Sequence, residues 1–302
     1  MSQLCDICPR HCRVPRSRIF SADDRVAGVC QAPQTAVVAR AGLHYWEEPV
    51  ISGERGSGTV FFAGCNLKCV YCQNFNISSQ LSGKAISVER LQAIYQELIA
   101  AGAHNINLVT PTHYSEVILE SLQNIDLAVP LVYNTNSYDS ISTLKRFENK
   151  VNIYLADYKY IDNALAQRYS AAADYAEVAW DAILEMYRQV GPYKIDDNNI
   201  MQSGVIIRHL ILPGAVENSL RIIRRVAETF QPGEVLFSLM RQYIPCGKVS
   251  EQAYPELNRQ VTDEEYQLVE DMLFASGIED GFVQDGSAAS GEFIPCFDGS
   301  GV

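Results

Sequence analysis

The 302-residue chain has no run approaching the roughly 18 consecutive apolar residues of a membrane-spanning helix, so no membrane span is expected. Its start, Met1-Ser2-Gln3-Leu4-Cys5, lacks the charged-then-apolar layout of a secretory signal. Cations are in deficit: 24 Lys and Arg stand against 36 Asp and Glu, a net charge of −12. General nucleic-acid binding rests on clustered cations that neutralise phosphates, and this balance argues against it. No internal repeat, low-complexity block or Pro/Gly/Ser linker divides the chain. What is left is a soluble, cytoplasmic protein of ordinary composition, long enough for one large domain or two smaller ones.

Nine cysteines stand out against these absences. Seven fall in the first quarter (Cys5, Cys8, Cys12, Cys30, Cys65, Cys69 and Cys72), and only Cys246 and Cys296 lie beyond. An odd count and tight spacings, without a signal, argue against a secreted disulfide framework. They point to metal or iron–sulfur ligation.

From residue 59 onward, short β-branched apolar runs alternate with longer helical patterns. Strands are predicted at 59–63, 106–110, 131–134, 152–157, 205–212 and 235–239. Helices are predicted near 87–101, 114–124, 139–148, 174–190 and 217–230. Ser87 suits the N-cap of the first helix and Gly102 its stop. Near-continuous apolar strands separated by helices imply an α/β fold with a parallel sheet covered by helices. Six strands fit a partial or complete barrel or an open doubly wound sheet, and periodicity does not separate them. In both, loops after the strands gather on the edge where ligand sites form.

The loop after the first predicted strand reads Gly64-Cys65-Asn-Leu-Lys-Cys69-Val-Tyr71-Cys72, a CxxxCxxC pattern. Three thiolates so close can hold three irons of a cubic 4Fe-4S cluster, leaving the fourth iron without a protein ligand. A purely electron-transferring cluster takes four cysteines. An open iron can chelate the amino and carboxylate groups of S-adenosylmethionine and reduce its sulfonium. That releases a 5′-deoxyadenosyl radical, while the protein supplies position and shielding. The plainer alternative is a zinc knuckle short of one ligand.

This pattern at this place resembles the radical S-adenosylmethionine superfamily. Further segments resemble uncharacterised relatives of the pyruvate formate-lyase activating enzyme: Cys5-Asp-Ile-Cys8-Pro-Arg-His-Cys12, Trp46-Glu-Glu-Pro49, Asn107-Leu-Val-Thr-Pro-Thr-His113, Ile207-Arg-His-Leu-Ile-Leu-Pro-Gly214 and Met240-Arg-Gln-Tyr243. The resemblance implies a partial (β/α)6 barrel core over residues 53–240. A cysteine-rich metal-binding region would cover 1–52, and an extension over 241–302 would close the barrel. It also implies an oxidoreductase-like enzyme in which Cys65, Cys69 and Cys72 are both cluster ligands and catalytic residues.

Cofactor contacts follow from the same resemblance. Where the superfamily carries Gly-Gly-Glu after its second strand, this chain reads Val109-Thr110-Pro111-Thr112-His113. Thr110 and Thr112 would offer hydroxyls and carbonyls there. The third strand ends Tyr133-Asn134-Thr135-Asn136-Ser137, similar to the activating enzymes' Asp-Thr-Asn-Gly, and the fourth ends Asp157-Tyr158-Lys159, similar to Asp-Leu-Lys. By resemblance, Asn134, Thr135 and the aromatic Tyr71 line the S-adenosylmethionine site. Asp157 would meet the amino group or a nearby monovalent cation, and Lys159 the carboxylate, because a zwitterion needs both signs within reach. Asn134, replacing an Asp, removes one charge from that cation site. Arg208 lies in an apolar strand and needs an anion, either the cofactor carboxylate or a barrel-lining acid. His209 faces the other way by strand alternation and reads as a packing histidine.

Cys5, Cys8, Cys12 and Cys30 form a C-x2-C-x3-C-x17-C set. Four thiolates suit a closed zinc site or an auxiliary iron–sulfur cluster that relays electrons. Cys246 and Cys296 read as buried, inert thiols rather than hydrogen donors. Glu47 and Glu48 read as solvated acids, against the alternative that they recognise a cationic substrate. The expected partners are a small electron donor such as flavodoxin or ferredoxin, and either a glycyl radical enzyme or a small molecule or nucleoside as substrate. A tail over the barrel mouth would keep water from a primary alkyl radical and suit a smaller substrate. A non-catalytic metal scaffold or redox sensor is the reading from a different class.

Overall fold

Seven parallel strands form the body of a single sheet, with an antiparallel pair added at one end. The computed structural model describes residues 4–16, 26–284 and 295–302. Residues 1–3, on which the signal reading partly rests, lie outside the described residues. The strands are β1 (Ala36–His44), β2 (Ser57–Phe62), β3 (Lys84–Ile86), β4 (Ile106–Val109), β5 (Leu131–Thr135), β6 (Ile153–Asp157), β7 (Lys194–Ile195), β8 (Met201–Leu210), β9 (Leu236–Met240) and β10 (Gly281–Val283). Their order is β10-β9-β8-β6-β5-β4-β2-β1-β3, with β7 beside β8.

From β2 to β10 every neighbouring pair along that order is parallel, and each strand is added on the same side of its predecessor. A doubly wound sheet reverses its strand order at a switch point, and this one does not. The winding is that of an α/β barrel, and because the order ends at β10 and β3 the barrel is partial. All six predicted strands are present. Their apolar runs are near-continuous because both faces are covered: β2, β5 and β9 are buried along their whole length.

Helix Val88–Ala100 starts where Ser87 accepts a hydrogen bond from the Arg90 amide. Tyr175–Val190 and Val216–Thr229 also follow the predicted periodicity. The segment predicted as a helix at 139–148 is shorter, Ile141–Leu144 followed by one 3-10 turn. Strands β1, β3, β7 and β10 and helices Asn163–Ser170 and Asp263–Ala275 are additions to the predicted set. Among the described residues no helix is long and apolar enough to cross a membrane.

The last residues run beside β1. Ala41 N donates to Ser300 O and Gly299 N to Ala39 O. Gly301 has φ +74, and a Cβ there would lie 2.1 Å from Ala41 O, so only glycine lets the tail lie this close. Phe297 packs edge-on against Phe61 at 5.3 Å. Cys296 is exposed, which corrects its reading as a buried thiol. Cys246 is half-buried, and its thiol donates to Tyr71 O at 3.0 Å.

Candidate functional site

A cavity of about 240 Å³ opens at the C-terminal edge of the parallel strands. Cys65, Cys69 and Cys72 line it from the loop after β2, joined by Tyr71, Thr110, Asn134, Thr135, Asp157, Lys159 and Arg208. Thr112 does not line it. It is fully buried as the first residue of a 3-10 turn that follows Pro111, and this corrects its reading as a cofactor contact.

Gly64 launches the cysteine loop at φ +86, and a Cβ there would meet Cys30 O at 2.9 Å and His113 Nε2 at 3.0 Å. All nine cysteines are free thiols. Burial, and then the charges of Cys69 and Cys72, push the Cys65 thiol up to about 12. Burial also raises Cys69, against the pull of Lys159. Thiols held this way stay protonated until a metal centre compensates their charge. Among the described residues no fourth cysteine lines the cavity. Three converging thiols and no fourth fit a cubic cluster with one open iron.

The same cavity holds a network of buried charge. Arg208 donates from Nε to Asp157 Oδ1 at 2.9 Å, from Nη1 to Glu47 Oε2 at 2.9 Å and from Nη2 to Asn134 Oδ1 at 2.7 Å. Lys159 Nζ donates to the other Asp157 oxygen at 2.7 Å. Burial resists ionisation of Asp157, but the charges of Arg208 and Lys159 outweigh it and hold the carboxyl below its ordinary range. Glu48 Oε2 lies 3.8 Å from Arg208 Nη1 without a hydrogen bond, and burial pushes its carboxyl up.

Two expectations change here. Glu47 and Glu48 are not solvated acids: their side chains are 11% and 7% exposed because Arg208 draws them in. Arg208 takes the second of its two readings, since its guanidinium is committed to protein carboxylates and is not free for a cofactor carboxylate. Glu47 also accepts from Asn134 Nδ2 at 3.1 Å, so it supplies the charge that Asn134 lacks.

Thr110 lines the cavity in a left-handed conformation, φ +57, which is costly for a β-branched residue. Thr110→Gly is expected to raise stability by about 1 kcal/mol, since the left-handed conformation costs an L-residue that much. Urea denaturation of the cluster-free protein measures it. An unchanged or lower midpoint would show that the residue is not strained.

His209 is buried, with Nδ1 on Tyr158 O and Nε2 on Ser219 Oγ, both at 2.8 Å, as a packing histidine should be. Burial drives it down to about 4, and His113, on Ala63 O, to about 3. Both are neutral when folded, so the unfolded chain binds protons first as pH falls below about 6.5. Stability is therefore full above that pH and declines toward pH 4, by about 1.4 kcal/mol per unit for each histidine. His209→Gln should flatten the decline in urea midpoints between pH 7 and 5. An equally steep decline would assign the acid sensitivity to other groups.

The N-terminal cysteines form a second set, apart from the first. Cys5, Cys8, Cys12 and Cys30 line one small cavity with Asn66 and His113. Burial, helped slightly by the neighbouring thiols Cys5, Cys12 and Cys30, pushes Cys8 up to about 12. His11 lies exposed on Asp6. Among the described residues no three Cys, His, Asp or Glu side chains are spaced to hold a single metal ion. Arg10, from this loop, donates to Asn66 O at 2.7 Å and to Ser170 O at 3.1 Å, tying the set to the central cysteine loop.

Residues 51–171 match the family model of a 4Fe-4S single cluster domain, the stretch that carries Cys65, Cys69 and Cys72. Over 270 residues the chain is 29% identical to an uncharacterised protein of Methanocaldococcus jannaschii (MJ0674), covering 86% of this chain and 71% of that one. Among solved structures it is similar to Streptococcus suis SuiB bound to S-adenosylmethionine, at 14% identity and a TM-score of 0.48, over 73% of this chain and 48% of SuiB. The FeFe-hydrogenase maturase HydG of Carboxydothermus hydrogenoformans is similar at 14% identity and a TM-score of 0.39, over 76% of this chain and 58% of HydG. The chain thus spans about half the length of those solved proteins.

Proposed function

We propose that this protein is a radical S-adenosylmethionine enzyme. The observation that carries the reading is the sharing of one cavity by three free thiols and the buried Asp157–Lys159 pair. The 4Fe-4S domain match over the same loop supports it. When bound, the cluster would supply the electron that cleaves S-adenosylmethionine to a 5′-deoxyadenosyl radical for hydrogen abstraction. Cys65, Cys69 and Cys72 would hold the cluster. Lys159 would offer its ammonium to the cofactor carboxylate, and Asp157 its carboxylate to the amino group. Arg208 positions Asp157 and keeps it ionised. Tyr71, Thr110, Asn134 and Thr135 would shape the walls.

Residues 53–240 would be the core, 1–52 a metal-bound cap and 241–302 the closing extension. Gln242 and Pro295 of that extension line the cavity. This supports a small enclosed substrate over the exposed loop of a glycyl radical enzyme, and fits a cytoplasmic enzyme reduced by a flavodoxin or ferredoxin. Electron spin resonance of a candidate partner protein after turnover tests the choice: a glycyl radical on the partner would favour activation.

The N-terminal set would hold zinc or a second cluster. Anaerobic metal analysis separates these, about 4 irons with 1 zinc per chain for the first and about 8 irons for the second. Cys8→Ala should remove that N-terminal complement and leave about 4 irons, those of the single central cluster. Loss of all iron would show that the two sites do not load independently.

A further inference from the structure

Each cysteine of the central loop meets one polar side chain from a different part of the fold. Asn136 Nδ2, after β5, donates to Cys65 Sγ at 3.3 Å. Ser170 Oγ, at the end of helix Asn163–Ser170, donates to Cys69 Sγ at 3.0 Å. Ser78 Oγ donates to Cys72 Sγ at 3.3 Å. The middle donor belongs to a longer chain. Ser170 Oγ lies 2.8 Å from Tyr160 Oη, and Tyr160 Oη lies 2.6 Å from Tyr71 Oη.

Proton counting sets the direction of that chain. An iron-bound thiolate only accepts, so the single hydroxyl proton of Ser170 goes to Cys69 and its lone pair accepts from Tyr160. The proton of Tyr160 is then committed, so Tyr160 accepts from Tyr71. Three hydroxyls point one way, each polarising the next. Tyr160 and Ser170 are fully buried, so water cannot stand in for a lost donor. Ser170 is also held from behind, its carbonyl accepting from Lys68 N at 3.3 Å and from Arg10 Nη2 at 3.1 Å. Tyr71 thus belongs to both places: it lines the cavity, and its hydroxyl begins the chain.

We propose that Tyr71, Tyr160 and Ser170 form a relay that raises the reduction potential of the cluster on Cys65, Cys69 and Cys72, with Asn136 and Ser78 donating to the other two sulfurs. The inference rests on the reading of those cysteines as cluster ligands. Hydrogen bonds to cluster sulfurs withdraw charge and favour the reduced, more negative state. These are positioning residues: none of them ligates iron.

The test is an anaerobic redox titration of the reconstituted protein followed by electron spin resonance, with iron and sulfide measured on every sample. Ser170→Ala should make reduction about tenfold less favourable, a fall of 59 mV for one electron. Tyr160→Phe should lower the potential less and Tyr71→Phe least, since each removes a donor one step further from sulfur. Ser170→Thr keeps the hydroxyl and should titrate near the wild type. The two Tyr→Phe changes remove one oxygen each and keep the packing, so they remain informative if Ser170→Ala folds poorly. Fully loaded variants that all titrate with the wild type would overturn the relay, as would a rise in potential. A wild type that takes up no iron or sulfide would overturn the cluster reading beneath it.

Discussion

Cys69→Ala should leave anaerobically reconstituted protein with background iron at the central site. Formation of 5′-deoxyadenosine should fall by more than about a thousandfold, the scale on which removing one member of an interdependent catalytic set acts. Among the described residues no fourth cysteine lines the cavity to replace the lost thiolate. Cys246 lies within electrostatic reach of Cys72, but its thiol is turned to Tyr71 O. Chromatography of the nucleoside product alongside an iron assay checks both parts. Near wild-type product from the variant would mean that these three cysteines do not hold the reacting centre.

Arg208→Met should cost about 3–5 kcal/mol of stability, the penalty for leaving buried charge without its partner. Three carboxylates face the guanidinium, and among the described residues only Asp157 pairs with a second cation, Lys159. Burial already favours the protonated form of Glu48, so most of the loss falls on Glu47 and Asp157. Adding Glu47→Gln to Arg208→Met removes one stranded charge and should recover part of the stability. Urea denaturation of the single and double variants measures the coupling. Strictly additive effects would show that Glu47 and Arg208 do not interact.

The parallel strands are legible in the sequence because burial on both faces writes a continuous apolar run, as in Ile-Tyr-Leu-Ala-Asp of β6. Which strands are neighbours is not written there, so barrel and doubly wound sheet look alike until pairing is known. Strand β1 escapes because Arg40 and His44 interrupt its apolar run at a half-exposed place. Helix Asp263–Ala275 is marked in the sequence by the capping box of Thr262 and Glu265.

The cysteine loop is legible because its ligands are close in sequence. The residues that serve it are not. Ser170 meets Cys69 across 101 positions and Glu47 meets Arg208 across 161, so neither partner can be found from local spacing. Glu47 and Glu48 look like solvated acids for the same reason: the cation that draws them inside lies far along the chain.

The central claim is that the cluster on Cys65, Cys69 and Cys72 leaves one iron open to S-adenosylmethionine. Electron spin resonance of the reduced, fully loaded protein with and without S-adenosylmethionine tests it most directly. The amino and carboxylate groups of the cofactor should ligate the open iron and change the cluster's spectrum, in wild type and in a Cys8→Ala variant alike. A fully loaded cluster whose spectrum is identical with and without the cofactor would contradict it.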